Sequence, residues 1–169
     1  LAQPLLVALS ERTRESATVG MLLDDDVIII ARATARRSLS TGLAIGSRLP
    51  SYCSSLGRVL LASLSPEEAR YRVEQMPRSA LTDRTIWRAD DVLAQVERCR
   101  ELGWSESDGE LELGVRSLAI PVFDRGGAAV GAMSIAVQAD RMTMTEFRKT
   151  MLPALVRARD TLATRLPTD

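Results

Sequence analysis

"RSLAIPVFDRGGAAVGAMSIAVQA", residues 116–139, reads as two strands joined by a tight turn. Asp124-Arg125-Gly126-Gly127 supplies the turn, with a short carboxylate that can bond the backbone and glycines free to adopt positive φ. Successive side chains in a strand point to opposite faces. In the first strand Leu118, Ile120 and Val122 share one face, and Ser117, Ala119, Pro121 and Phe123 share the other. In the second, Met133, Ile135 and Val137 point one way, and Ala132, Ser134 and Ala136 the other. Each strand therefore has a bulky apolar face and a face of mostly small residues with a hydroxyl. Neither face carries a charge, so both are expected to be covered. If the two small faces coincide, that side of the sheet has room for a small molecule, with apolar walls and a few hydroxyls. A helix packed very closely there would use the same residues differently.

Outward from the hairpin, the chain alternates strands and helices. "PLLVALSERTRE" (4–15) places Leu5, Leu6 and Leu9 on one helical stripe. "ATVGMLLDDDVIIIARATA" (17–35) reads as two strands around the acidic turn Asp24-Asp25-Asp26. A helix is expected over 50–64, with Pro50 near its first turn. "SPEEARYRVEQM" (65–76) carries a capping-box pattern, with Ser65 as N-cap, Pro66 next and Glu68 three residues on. A helix over 88–103 is closed by Gly103. A final helix over 143–166 contains Pro153, which predicts a bend or break. The fold class implied is α+β with a mainly antiparallel sheet flanked by helices.

Composition narrows the function. The 169 residues suit one domain with a real core, and 46% apolar against 26% charged residues is an ordinary globular balance. The formal net charge is zero, and no basic stripe exists, so the chain is not expected to hold DNA by itself. Arginine supplies almost all the positive charge, a bias that fits genomic base composition better than phosphate binding. The two cysteines, Cys53 and Cys99, form no paired motif. Histidine is absent, which removes Ser-His-Asp and Cys-His catalysis and most zinc chemistry. The longest apolar runs, such as "VIIIA" (27–31), cannot span a bilayer. With no visible signal peptide, a cytoplasmic location without membrane contact is expected. The chain starts at Leu1 rather than Met, as a piece cut from a longer protein would.

"GSRLPSYCSSLGRVLLASL" (46–64) begins as a loop and ends as a buried helix. Ser51, Cys53, Ser54 and Ser55 stand at the junction, with Gly57 one turn inside. Helix N-termini expose unpaired N–H groups and a positive dipole end. Small side chains would leave these donors open to a carboxylate, and Ser54 and Ser55 could add hydroxyls. Gly57 costs roughly 1 kcal/mol against alanine, which close approach of a ligand or another backbone would offset. Equally, one serine could simply cap the helix while Gly57 packs on a strand. A third use is nucleophilic, because a Cys53 thiolate at a helix start would have a lowered pKa, although Lys149 is the only lysine and no histidine base exists.

"LPSYCSSLGRVLLASL", "GWSESDGELELGVRSLAIPVFDRGGAAVGAMSIA" and "LPALVRARDTLATRL" resemble, in order and spacing, the effector-binding domain of IclR-type bacterial transcription regulators. "SRLPSYCSSLGRVLLA" and "LELGVRSLAIPV" are most similar to the branch controlling protocatechuate, 4-hydroxybenzoate and β-ketoadipate catabolism. The resemblance implies a GAF-like domain over 17–169, with an effector pocket between the sheet and the 50–64 helix. Residues 1–16 would be the end of the interdomain helix or linker. The family's winged helix-turn-helix matches nothing here, so DNA would be a partner only through that absent N-terminal domain. The implied partners are a small carboxylate effector, aromatic or dicarboxylic, and further copies of the chain in a homodimer or tetramer. No cofactor is implied, and no metal, since relatives that hold one use histidine among the ligands.

Carried over residue by residue, the family's effector contacts fall on Ser55 and Leu56, Ser107 or its neighbour Asp108, Val115 and Ser117, and Ser134 and Ala136, with Ser54 at the same helix start. Ser107 departs from the pattern of relatives that carry an acid there. Arg116 points away from Ser117 and is expected to pair with Glu110 or Glu112. Outside this resemblance, a GAF-like sensor or dimerisation module unrelated to transcription, and a Cys53-dependent enzyme, are the alternatives.

Overall fold

The computed structural model describes residues 2–34 and 43–166. Along the chain the elements are α1 (Gln3–Thr13), β1 (Ser16–Leu23), β2 (Asp26–Ala33), β3 (Arg48–Pro50), α2 (Ser55–Ala62), α3 (Pro66–Gln75), α4 (Ala89–Leu102), β4 (Ser105–Asp108), β5 (Val115–Phe123), β6 (Ala129–Gln138) and α5 (Met144–Ala163). The strands form one sheet in the order β3-β2-β1-β6-β5-β4, and every neighbouring pair is antiparallel. Position 35, the last residue of the strand region expected over 17–35, lies outside the described residues, as do 167–169 at the end of the expected domain.

The β5–β6 register answers the first question raised by the sequence. Leu118 pairs with Ile135 and Ile120 with Met133, while Ser117 pairs with Ala136 and Ala119 with Ser134. The small faces therefore do coincide. The bulky face packs against Leu6 and Leu9 of α1 and against Phe147, Met151, Leu155 and Leu162 of α5. A complete capping box starts α5, with Thr143 accepting from the Glu146 N–H and Glu146 reaching back to the Thr143 N–H. The break expected at Pro153 does not occur, and α5 runs through it. Pro153 sits on the exposed side, while Met151, Ala154 and Leu155 around it are buried against the sheet, which keeps the helix continuous across it.

The small face is crossed by α2, whose Leu56, Val59 and Leu60 pack on Val27, Ile29, Ala119 and Ala132. Behind α2, α3 and α4 close a second cluster through Leu61, Val73, Val92 and Val96. The α3 cap is one-sided: Ser65 accepts from the Glu68 N–H at 3.1 Å, but the Glu68 carboxylate turns forward to Arg72 at 2.9 Å. Gly103 closes α4 at φ +80, as its position predicts.

The start of α2 is later than expected. Pro50 ends β3 opposite Asp26, and 51–54 form a turn before the helix. Ser54 is the cap, extended at φ −103 and ψ 147, and accepts from the Gly57 N–H at 3.1 Å. Ser51 instead donates to the Asp25 carbonyl at 2.6 Å, tying this turn to the β1–β2 turn.

Candidate functional site

Gly57 is explained by backbone, not ligand. A Cβ there would lie 2.3 Å from both Cα and O of Ser51, so the 51–54 turn can lie against α2 only where no side chain intervenes. The tight turn brings the N-terminal end of α2 over the small face of the sheet. Ser54 also donates to the Pro50 carbonyl at 2.7 Å, which locks the cap. In the first turn Gly57 N–H is taken by Ser54, which leaves the N–H groups of Ser55 and Leu56 without partners inside the helix.

Beside this helix start the small face is no longer filled, and a cavity of about 260 Å³ opens. Its floor is built by Ser16 and Thr18 of β1, Ser134 and Ala136 of β6, Val115 and Ser117 of β5 and Ser107 of β4; Ser54, Ser55 and Leu56 form the helix side; Leu43, Leu49 and Leu111 add apolar wall. Ser117 donates its hydroxyl to Ser55 Oγ at 2.8 Å, joining floor to helix. Ser107 Oγ has two acceptors, the Cys53 carbonyl at 3.2 Å and a Glu110 carboxylate oxygen at 3.1 Å, for its single proton. Ser16 Oγ is buried without a hydrogen-bond partner.

Ser54, Ser55, Leu56, Ser107, Val115, Ser117, Ser134 and Ala136, named from the sequence, all border this cavity. Asp108 does not. One residue beyond Ser107, it lies on the opposite face of β4, where Arg84 at 3.0 Å and Arg116 at 3.1 Å hold its carboxylate. The expected pairing of Arg116 with Glu110 or Glu112 is therefore corrected: the β4–β5 register sets Asp108 directly opposite Arg116, and Arg116 also donates to the carbonyls of Ala139 and Met142. Glu110 is held by Arg58 of α2 instead, with Nη–Oε distances of 2.6 and 2.5 Å, and also accepts from the Ile86 N–H at 2.9 Å. Both partners are buried, at 1% and 5% side-chain exposure.

The charged lining escaped sequence reasoning. Arg32, Glu15 and Glu112 border the cavity. Simple alternation through "VIIIARA" would put Arg32 on the face away from Val27 and Ile29. A bulge reverses this: Gly20 pairs with Ile29 and Val19 with Ala31, so Ile30 has no partner on β1. Ala31 and Ala33 then turn to the α1–α5 side, and Arg32 joins Thr18 over the cavity, donating to its Oγ1 at 2.9 Å. Burial pulls the Arg32 pKa below its ordinary value. Burial raises the Glu15 carboxyl above its ordinary value, against the lowering effect of Arg141, which donates to it at 2.8 Å.

Cys53 gives no support to nucleophilic chemistry. It is fully buried, and burial pushes its thiol up to about 12 despite the nearby Arg58 charge. The described residues contain no group of three or more His, Cys, Asp or Glu side chains arranged to hold a metal ion. None of their helices is long and apolar enough to cross a membrane.

Residues 1–163 match the family described as bacterial transcriptional regulator IclR C-terminal. The chain belongs to the IclR family. The Pca regulon regulatory protein of Pseudomonas putida is 37% identical over 158 residues, which is 93% of this chain and 54% of that protein. The chain thus spans about half the length of this curated relative. A transcriptional regulator from Rhodococcus sp. RHA1 superposes with a TM-score of 0.92 at 35% identity, over 96% of this chain and 66% of that one. The inducer-binding domain of the PobR transcription factor from Acinetobacter, a double mutant in complex with 3-hydroxybenzoic acid, gives a TM-score of 0.91 at 27% identity, over 98% of this chain and 97% of that one. This is an IclR effector-binding domain, from a family of transcription regulators rather than enzymes, and the Cys53-enzyme and transcription-independent alternatives fall away.

Proposed function

We propose that the cavity binds a small carboxylic acid, aromatic or dicarboxylic, as the effector of a regulator of aromatic-compound catabolism. The observation that carries this reading is the open start of α2 facing an apolar cavity floored by hydroxyls. At about 260 Å³ the space lies just below the roughly 300–1,000 Å³ of drug-sized sites, which suits one ring or a short chain. The Ser55 and Leu56 N–H groups receive the carboxylate, where the helix field favours negative charge. Ser117 and Ser134 bond further oxygens, Ser107 lies beside them, and Leu49, Leu111, Val115 and Ala136 cover the body of the ligand. Ser54 contributes by fixing the cap. The 3-hydroxybenzoic acid held by the PobR domain and the Pca regulator's similarity support this class of ligand.

In the whole protein, residues 1–16 end the connection from a DNA-reading module outside this chain, and 17–169 form the effector domain of a cytoplasmic homodimer or tetramer without cofactor or metal. A two-fold operator calls for such a dimer, and sedimentation of the domain as a strict monomer at tens of micromolar would argue against it.

Calorimetric titration with hydroxybenzoates, protocatechuate and short dicarboxylates tests the site. A ligand at 100 times its dissociation constant should stabilise the fold by about 2.7 kcal/mol and be recovered unchanged. Ser55→Glu puts a competing carboxylate at the helix start and should abolish measurable binding while the protein stays folded. Unaltered affinity in folded Ser55→Glu would show that the acid is not held there.

A further inference from the structure

We propose that effector binding to this domain is proton-linked, with the buried carboxyl of Glu15 taking up a proton as the acid's carboxylate enters the cavity. This rests on the proposed site and adds the regulation of that site by pH.

Glu15 stands at the joint between α1 and β1, with its side chain in the cavity wall. It is 4% exposed, and Ser10 Oγ fixes its backbone by donating to its carbonyl at 2.7 Å. Water therefore solvates this carboxylate poorly. Next to it, the Ser16 hydroxyl borders the same cavity, buried without a partner that would satisfy it. Ser16 pairs with Ala136 across β1 and β6, and Ala136 with Ser117 across β6 and β5. Ser117 in turn holds Ser55 of α2. Two strand spacings of roughly 4.8 Å thus put the start of α2 about 10 Å from Glu15. A second negative charge at that distance, at an effective dielectric constant of about 20, raises the proton affinity of Glu15 by about tenfold.

The charges around Glu15 set the balance on which that anion acts. Arg141, on the connection from β6 to α5, donates to the carboxylate at 2.8 Å. Its side chain is 27% exposed against 6% for Glu15. Arg32 of β2 and Glu112 of the segment before β5 complete the charged lining. The two arginines favour the ionised carboxyl; burial and Glu112 favour the neutral one. Without ligand, burial already outweighs Arg141 and holds the Glu15 carboxyl above its ordinary pKa. An added anion tips the balance to protonation. The neutral carboxyl is then a donor, so it stops repelling the acid and bonds one of its oxygens, while Arg141 keeps its contact with water. The proton comes from solvent and returns there on release.

The test is calorimetric titration of 3-hydroxybenzoate between about pH 6 and 7.5, where its carboxylate stays ionised, in PIPES and in bis-Tris, whose ionisation enthalpies differ. The parent domain should take up about a third of a proton or more per ligand, and its affinity should fall as pH rises, by up to about tenfold per pH unit. Glu15→Gln, neutral at every pH, should bind with the same heat in both buffers and with an affinity flat in pH. At the alkaline end it should bind about threefold or more tighter than the parent, as removal of the linkage requires. Equal heats in the two buffers for the parent, or proton uptake that persists in folded Glu15→Gln, overturns the inference and leaves the helix-start site standing. If Glu15→Gln does not fold, Arg141→Gln takes its place: loss of the arginine should move the fall in affinity to higher pH, and an unmoved profile overturns the inference. If neither 3-hydroxybenzoate nor protocatechuate binds the parent, the proposed site itself fails, and the proton linkage with it.

Discussion

One face of one sheet is used in two opposite ways here. Under the body of α2, Ala119 and Ala132 let Leu56, Val59 and Leu60 descend onto the strands, and nothing is left open. A few residues away on the same strands, Ser117, Ser134 and Ala136 are as small, yet they floor a cavity. The residue types scarcely differ, and what separates the two ends is where the helix stops. Small side chains create volume; the neighbouring element decides whether protein or ligand occupies it. Both readings of the hairpin's small face, close helix packing and a hollow, are thus realised on different stretches of it.

The strongest way to break the contrast is to release what holds α2. Arg58 on the helix and Glu110 on the segment carrying Leu111 and Glu112 to the cavity form a buried pair, so one bond anchors both ends. Glu110→Ala leaves a buried guanidinium uncompensated and should destabilise the domain by about 3–5 kcal/mol, measured by urea unfolding. A loss below about 1 kcal/mol would mean that the pair does not fix the helix.

The same substitution at two sites sharpens the comparison. Ala132→Leu, beneath the helix and fully buried, overpacks the core and should cost about 1–3 kcal/mol. Ala136→Leu projects into the cavity and should change stability by no more than about 0.5 kcal/mol while blocking acid binding. Equal stability losses at the two positions would remove the distinction between a filled and an open end.

Ser134→Ala takes one hydroxyl from the cavity floor. The expected effect on effector affinity is about 0.5–1.5 kcal/mol, with unfolding close to the parent; titration of both proteins with the same acid decides it, and identical affinities would exclude Ser134 from the ligand's contacts. The smallest expected effect is none. Cys53 and Cys99 are both buried with raised thiol pKa values, so iodoacetamide at neutral pH should label neither until the protein is unfolded. Rapid native labelling of Cys53 would contradict the packing of the turn before α2.

Much of this architecture was legible because its signals are local. Alternation in β5 and β6, the glycine turn between them, the acidic turn after Leu23 and the stop at Gly103 each need only a few neighbouring residues. The break that Pro153 allowed did not occur because the cost of a proline in a helix is local, whereas the burial of Met151, Ala154 and Leu155 that keeps α5 continuous is not. At the head of α2 the cluster of serines was visible, but which serine capped was not. Pro50 was drawn into the pairing of β3 with β2, a contact across 24 residues of sequence, and that moved the helix start to Ser54.

The cavity divides the same way. Its hydroxyls and small residues could be named from strand period and family resemblance, since a residue's face follows from counting within one strand. Its charges could not. Arg32 reaches the cavity because β1 and β2 slip by one residue at Gly20 and Ile29, and alternation within β2 cannot show a slip defined by the partner strand. Glu15 precedes β1 and enters the wall with Arg141, from the far end of the chain, holding its carboxylate. Asp108 and Arg116 find each other through the β4–β5 register, which freed Glu110 for Arg58. The sequence by itself determined the strands, their small and bulky faces and the polar helix start, because those depend on residue period. Only the tertiary structure decided where the hollow lies and which charges line it, because bulges, registers and ion pairs are properties of two chain segments at once.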